Sequence, residues 1–441
     1  MKASKYLQYF RSIVNADEER TQLRWVYSIA IIGILVNLCL FGWKILADSG
    51  GYLDAWEVFL EGRIDWGRTP VYPFFLGVLQ ACVGKSLLYW VVVSVQSIIF
   101  LFSVPCFYRL AKIFTGKNNI TFWFTVFYSL VPGISSWNNA ILTESLAISG
   151  TIFLFYFAIN GWMKVQASSL LGFTISLCLL CMLRPSFLYL LPIFFCFWLG
   201  TLFFKTKKRV AYYGLLGVGF ATAVVLCYCF AFQKSYGVFT PSGIGTLNQY
   251  CIARQRNLLN PDVIENPNLR VDIERILQSG KSETVEPYYT EFGQLRSQYP
   301  LSDIQHALSA SIKSDIGHFL KEAVAIAGYA GNRNIFDSYV TKKGIVKIKM
   351  NLLYLVLAIY GVFLIVSICR KSKVPLLSIL IYTATCGNLV LIFIGAQEEW
   401  TRLFTPSVSL FLLMVAQLLS ASGLKIMITK IIESSKTYLR I

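Results

Sequence analysis

The chain alternates between long apolar runs and short charged links. Ten apolar stretches approach the ~20 residues that carry a helix across a bilayer. They cover 25–46, 86–109, 119–133, 144–161, two within 168–204, 210–232, 350–369, 375–395 and 404–422. The run 168–204 is too long for one helix, and Arg184-Pro185-Ser186 splits it in two. Only 233–348 breaks the rhythm at length, with Gly-, Pro- and Asn-rich turns. Within it, Ile304, Leu308, Ile312, Ile316 and Leu320 recur near helical spacing over 301–325. The pattern predicts an all-α polytopic membrane protein of about ten spans. A small mixed or helical extracytoplasmic domain is inserted near its end.

Charge supplies an orientation. Charged residues make up only 14% of the chain, against roughly 25% in soluble domains. The net charge is +17, from 40 Lys and Arg against 23 Asp and Glu. In a soluble protein this excess would suggest nucleic acid. Here the basic residues sit mostly in short links, where they set topology, so no nucleic-acid partner is expected. Lys2, Lys5, Arg11, Arg20 and Arg24 precede the first span, and Lys425, Lys430, Lys436 and Arg440 follow the last. Both termini are therefore expected in the cytoplasm, with the protein in the inner or plasma membrane. The expected divisions are a cytoplasmic N-terminus 1–24, a membrane module 25–232 with first outside loop 48–85, and an extracytoplasmic domain 233–348. C-terminal spans over 349–422 and a cytoplasmic tail 423–441 complete the chain. Most of the eleven Cys lie in apolar runs, and the only histidines are His306 and His318. No disulfide framework, zinc spacing or histidine-based metal site emerges.

The first outside loop carries five carboxylates: Asp48, Asp54, Glu57, Glu61 and Asp65. Asp54, Glu57 and Glu61 recur at spacings of three and four, so they share one helical face. Leu53, Ala55, Trp56, Phe59 and Leu60 mostly take the other. This predicts a helix lying in the membrane interface with one wet side. Asp48 stands apart, before that helix and beside Ser49-Gly50-Gly51. Its alternatives are a helix cap and a functional acid.

Other charges gather at the outside ends of spans, as the expected topology places them. Glu144 opens the fourth span, Arg184 sits in the turn between the fifth and sixth, and Glu398, Glu399 and Arg402 lie between the ninth and tenth. The apolar centres of most spans hold no Asp or Glu. An ion-coupled transporter places its carboxylates near mid-membrane. A set confined to one face suggests a single site at the outer interface.

With these residues in hand, a resemblance becomes specific. "DSGGYLDAWEVFLEG" followed by "RTPVYPFFLG" resembles the first outside loop of the C-type (GT-C) glycosyltransferases, through Asp48, Tyr52, Gly62, Arg68, Pro70, Tyr72 and Pro73. The nearest kinds are protein O-mannosyltransferases, lipid A aminoarabinose transferases and an RgtA/B/C/D-like bacterial group. "LTESL", "LRPSFLYLLP" and "TRLFTP" follow the same family's later elements, in order. Asp48-Ser49 stands where some relatives have Asp-Glu. The segment 233–348 matches no element of that family.

The resemblance implies transfer of a sugar from a polyprenyl-phosphate-linked donor to an acceptor hydroxyl at the outer face, with inversion at the anomeric centre. It implies Asp48 as general base and Glu144 as a second carboxylate. Arg68, Arg184 and Arg402 become donor-phosphate ligands, because guanidinium presents a fork of donors to phosphate. Tyr52, Tyr72 and Glu399 become substrate contacts. For Arg184 and Arg402 the competing role is a membrane-edge anchor; for the tyrosines it is packing. Partners would be the lipid-linked donor, a lipid, glycan or protein acceptor, and membrane lipids. No cofactor is required by the sequence, and two carboxylates leave a divalent metal open. Alternative readings are a surface-polysaccharide polymerase or ligase and, further off, a lipid or sugar transporter.

Overall fold

In the computed structural model, residues 2–282, 284–336, 348–369, 376–396 and 399–421 are described. Glu398 and the basic tail after 421 lie outside them. Every regular element among the described residues is helical. The membrane-type helices of the first part are α1 (Lys2–Phe41), α2 (Ser49–Leu60), α3 (Val71–Thr115), α4 (Asn118–Leu130) and the single turn α5 (Pro132–Ser135), followed by α6 (Glu144–Lys164), α7 (Ala167–Leu183), α8 (Leu190–Thr201) and α9 (Lys208–Tyr236). The inserted segment forms α10 (Ile244–Gln255), α11 (Pro267–Gln278), α12 (Glu286–Gln298), α13 (Leu301–Ser314) and α14 (Ile316–Ala330). The chain closes with α15 (Met350–Cys369), α16 (Leu376–Gly395) and α17 (Trp400–Ser420).

Among the described residues, seven helices are long and apolar enough to cross a membrane: α1 from Asp17, α3, α6, α9 with the turn before it, α15, α16 and α17. The chain is a polytopic helical membrane protein. Helices α4, α7 and α8 are apolar but shorter, at 13, 17 and 12 residues. The split at Arg184 is present: Arg184 is extended, and Pro185 opens a 3-10 turn that leads into α8. Helix α3 is two helices in sequence. Gly84, at φ 74°, breaks it in a conformation open to glycine. The aromatic run from Val71 to Val83 is thus helical too, and hinges onto the following span at Gly84.

Helix α17 is the most buried of the seven and packs against α3, α4, α6, α15 and α16. Lipid is as apolar as a leucine side chain, so helices associate here through close packing and internal polar contacts. Asn388 of α16 donates to Ser407 of α17 at 2.7 Å, and Tyr360 of α15 donates to Gln417. Helix α2 lies against the start of α3 through Trp56 on Phe74, with ring centroids 5.3 Å apart. Its outer face carries the exposed Asp54, Glu57 and Glu61, as its spacing predicts.

The inserted helices have a core of their own, around Tyr250, Ile252, Phe292, Ile304 and Leu308. The expected continuous stripe over 301–325 is interrupted. Asp315 leaves helical geometry (φ −141°, ψ 65°) and its carboxylate accepts from the His318 N–H, so α13 ends and α14 starts afresh. Ile304 and Leu308 are buried, whereas Ile316 and Leu320 are exposed, because the restart rotates the apolar face. This second core grips the first loop. Trp66 stacks on Phe292 at 6.2 Å, and the Arg296 guanidinium lies 3.9 Å over the Trp66 ring.

Candidate functional site

Two loops distant in sequence bring the acids together. After α1, Lys44 donates to the Asn139 carbonyl at 2.8 Å and accepts from Ile141 N–H at 3.0 Å, a short parallel bridge. The Asn139 amide donates to the carbonyls of Asn37 and Gly42. Ser49 is fully buried and donates to the Ile141 carbonyl at 2.9 Å. Asp48 and Glu144, at the ends of these paired loops, thereby face one guanidinium.

That guanidinium is Arg402, at the start of α17. Its Nη2 donates to Asp48 Oδ2 at 2.6 Å, its Nε to Glu144 Oε1 at 2.6 Å and its Nη1 to Glu399 Oε2 at 2.7 Å. Arg68 holds the other Asp48 oxygen, Oδ1, at 2.9 Å, and Arg184 reaches Glu144 Oε1 at 3.3 Å. Three carboxylates thus meet three guanidinium groups, so the cluster is electrically neutral. It is assembled from the starts of α2, α6 and α17, the end of α7 and the loop before α3. Pro406, one turn after Arg402, cannot donate to the Arg402 carbonyl.

The loop bearing Arg68 is fixed at several points. Asp65 Oδ1 accepts from the N–H groups of Gly67 and Arg68, at 2.8 and 2.6 Å, an Asx-type turn. Ser242 of the inserted segment donates to the Gly67 carbonyl, and Thr69 donates to the Leu183 carbonyl next to Arg184. The Arg68 guanidinium stacks 4.3 Å from the Tyr52 ring. Gly51 makes the approach possible, since a Cβ there would sit 3.2 Å from Arg68 Nε.

Asp48 occupies the position before α2 but makes no capping bond with its side chain. The cap alternative therefore falls: both of its oxygens are taken by arginines. Burial raises its carboxyl, but the Arg402 and Arg68 guanidinium groups outweigh burial and hold it down at about 2. Glu144 is fully buried, and its Oε2 has no hydrogen-bond partner among the described residues. Thr143 Oγ and Asn138 Nδ2 nearby in the chain are likewise unpartnered. Buried polar atoms of this kind call for a water, an ion or a ligand group. Glu399 is the open edge. Its side chain is 59% exposed, and its backbone adopts a left-handed φ of 57° that L-residues rarely hold.

No family model matches the chain, and no curated protein matches it.

The placement of the remaining residues refines their roles. Tyr72 is fully buried and its hydroxyl donates to Gln96 at 3.0 Å. Gln96 in turn donates to the carbonyls of Asn138 and Ala140, both at 2.9 Å. Tyr72 therefore braces the Glu144 loop from beneath and does not line a surface. Tyr52, 7% exposed, supports Arg68 from below. Gln96 and Asp65 were not singled out from the sequence. A lone amide within "VVVSVQSIIF" is the signal for the first; an acid two residues before a glycine is the signal for the second. Both Asp48 oxygens and Glu144 Oε1 are committed to guanidinium, and no group of three His, Cys, Asp or Glu gathers among the described residues.

Proposed function

We propose that the protein is a membrane glycosyltransferase that takes a sugar from a polyprenyl-phosphate-linked donor, with the cluster at Arg402 as its active site. The observation that carries this reading is Arg402 itself. One guanidinium binds Asp48, Glu144 and Glu399 at a membrane-helix end, where the phosphate of an isoprenoid lipid must lie because its tail stays in the bilayer. Arginines already holding carboxylates are preformed anion sites. An incoming phosphate takes Arg68 and Arg402, and Asp48 is released from the two groups that suppress its basicity.

The step then balances. The acceptor oxygen attacks the anomeric carbon, and its proton passes to Asp48 as general base. The bond from that carbon to the phosphate oxygen breaks, and the electron pair leaves with the polyprenyl phosphate. Arg68, Arg184 and Arg402 stabilise the charge that develops there. Inversion at the anomeric centre follows from a single displacement. The polymerase or ligase alternative would draw on arginines of the inserted segment, where Arg254 and Arg270 are bound to backbone carbonyls and Arg256 has a buried Nη1 without a partner among the described residues.

The same reading takes the fold as GT-C-like, with ten crossings: the seven long helices and α4, α7 and α8 as short ones. The termini are cytoplasmic and the cluster faces outside. A cysteine placed at Lys208 is then protected from an impermeant maleimide added outside, while one at Ser302 is labelled; the reverse pattern refutes the orientation. The activity is tested by organic extraction of the purified protein and mass spectrometry. A copurifying polyprenyl-phosphate sugar, consumed on addition of cell-envelope acceptors, is expected. Absence of any phospholipid-linked sugar, with no turnover in envelope extracts, would overturn the reading.

A further inference from the structure

A second feature lies at the opposite membrane end. Helix α7 runs toward Arg184 and the cluster, so its first turns are remote from it; α9 begins beside them and runs the same way. Between the two helices is a groove of about 460 Å³. This falls within the roughly 300–1,000 Å³ of small-ligand sites. On α7 it is lined by Leu170, Leu171 and Thr174, and on α9 by Arg209, Tyr213 and Phe220. These positions follow one stripe on each helix. From Arg209 to Phe220 the stripe rises about 16 Å at roughly 1.5 Å per residue, close to half of a ~30 Å hydrocarbon core. The groove therefore has the length of one leaflet.

Its mouth is basic. Arg209 of its lining is exposed and makes no ion pair among the described residues, and the exposed Lys205 and Lys208 precede it in the chain. The Arg209 guanidinium rests 5.8 Å from the Tyr213 ring, an aromatic at the interface depth. Lys207 differs, since it donates to the Trp162 and Met163 carbonyls at the end of α6. Below the mouth the wall is apolar and open: Leu171 and Phe220 are more than half exposed. A cationic rim over an apolar slot one leaflet deep is complementary to a lipid with an anionic head group.

We infer that this groove is a binding site for an anionic glycerophospholipid, its phosphate on Arg209 and one acyl chain between α7 and α9. The site is separate from the proposed active site and stands without it. The test is native mass spectrometry of the delipidated full chain in detergent, titrated with phosphatidylglycerol and with phosphatidylcholine of the same chains. Phosphatidylglycerol is expected to bind at least about fivefold tighter, the scale of one basic side chain on an anionic head group. Arg209→Gln should abolish that preference and Arg209→Lys should keep most of it. Leu171→Trp, at an exposed position, should weaken binding of both lipids by filling the slot. Equal binding of the two lipids overturns the inference, as does a preference that survives Arg209→Gln. Competition by millimolar inorganic phosphate as effective as that by lipid also overturns it, since the basic turn is then only an anion site.

Discussion

Two arginines, one buried and one half-buried, serve this molecule in opposite ways. Arg254, 1% exposed, sits among the inserted helices, where Nη2 donates to the carbonyls of Ile276 and Gly280 and to Ser279 Oγ, and Nε donates to Glu291 at 3.2 Å. Tyr250 donates to the same Glu291 oxygen at 2.8 Å, and the Tyr288 ring lies 5.5 Å from the guanidinium. Several of these partners are at the end of α11, where carbonyls and the helix dipole favour a cation. One charge meets one charge, and Nη2 is taken up by two carbonyls and a hydroxyl. Arg402 instead serves three carboxylates at once, beside an unpartnered Glu144 oxygen and an exposed Glu399. The first arrangement sets one cation against one acid and backbone carbonyls. The second gathers three acids on one cation, with Glu399 exposed, and on the proposed reading a donor phosphate takes their place.

The sharpest way to break this contrast is to remove each arginine. Losing one partner of a buried pair strands the other, at a cost of about 3–5 kcal/mol. Arg254→Ala should therefore lower thermal stability, with binding of farnesyl phosphate kept in whatever fraction remains folded. Arg402→Ala should eliminate both turnover and farnesyl phosphate binding, even where size-exclusion chromatography shows a folded protein. Farnesyl phosphate binding that survives Arg402→Ala would make Arg402 a second structural staple.

Asp48 gives the next largest effect. Asp48→Asn is nearly isosteric and removes basicity, so turnover should fall by about 10²–10⁴. Farnesyl phosphate binding should hold or tighten, because a neutral amide competes less for Arg68 and Arg402. Parallel losses in both would mean that Asp48 only positions the arginines. Acid titration adds a second reading. In the folded protein the Arg402 and Arg68 guanidinium groups hold the Asp48 carboxyl down at about 2, below the roughly 3.9 of an unfolded chain. Its pairing thus stabilises the fold above pH ~4, and that contribution is lost as pH falls toward 2. The acid limb of kcat/KM, which reports the free protein, should lie near that low value. The limb of kcat should lie higher, because bound phosphate withdraws the guanidinium groups and adds negative charge. Coincident limbs would refute the exchange of partners.

Much of this was legible in the sequence, and the omissions have one physical cause. The apolar runs are local signals, so the helices and the Arg184 break are read directly. The wet face of α2 is a matter of spacing, and Asp54, Glu57 and Glu61 are exposed as expected. The gathering of charges at one set of span ends also shows in order along the chain. What sequence does not display is partnership across distance. The bridge from Lys44 to residues 139–141, the Tyr72–Gln96 brace and the hold of Ser242 on Gly67 each join segments far apart in the chain. Asp48 was read as cap or acid from its neighbours alone, and its pairing with Arg402 lies 354 positions away. The break at Asp315 was hidden for a different reason. Apolar spacing continues across it, and the competing side-chain bond to His318 N–H is invisible to a count of hydrophobic residues.

Arg68 and Arg63 form a closer comparison within one loop. Arg68 is fixed by the Asp65 turn, the Tyr52 ring and Asp48, whereas Arg63 pairs only with the exposed Glu61 beside it. A charged hydrogen bond contributes on the order of 1.5–3 kcal/mol. Arg68→Ala should then weaken farnesyl phosphate binding roughly tenfold to a hundredfold. Arg63→Ala should leave it unchanged, since exposed pairs contribute about 0–1 kcal/mol. Equal small changes at both would return Arg68 to the role of anchor.

The smallest effect is expected from the carboxylates that share the loop with Asp48. Asp54, Glu57 and Glu61 are exposed on the outer face of α2, and only Glu61 has an ion partner among the described residues. Their work is solvation: they keep one side of an interfacial helix in water while Trp56 and Phe59 pack against Phe74. Asp54→Asn and Glu57→Gln preserve that polarity and remove only charge. Turnover and farnesyl phosphate binding should stay within a few fold, and the surface substitutions should alter stability by no more than about 0.5 kcal/mol. Asp54→Leu is the informative control. It should harm insertion or solubility without touching the cluster, because it makes the wet face apolar. An inactive Asp54→Asn beside an active Asp48→Asn would move the chemistry to α2 and leave Arg402 holding a purely structural set of acids.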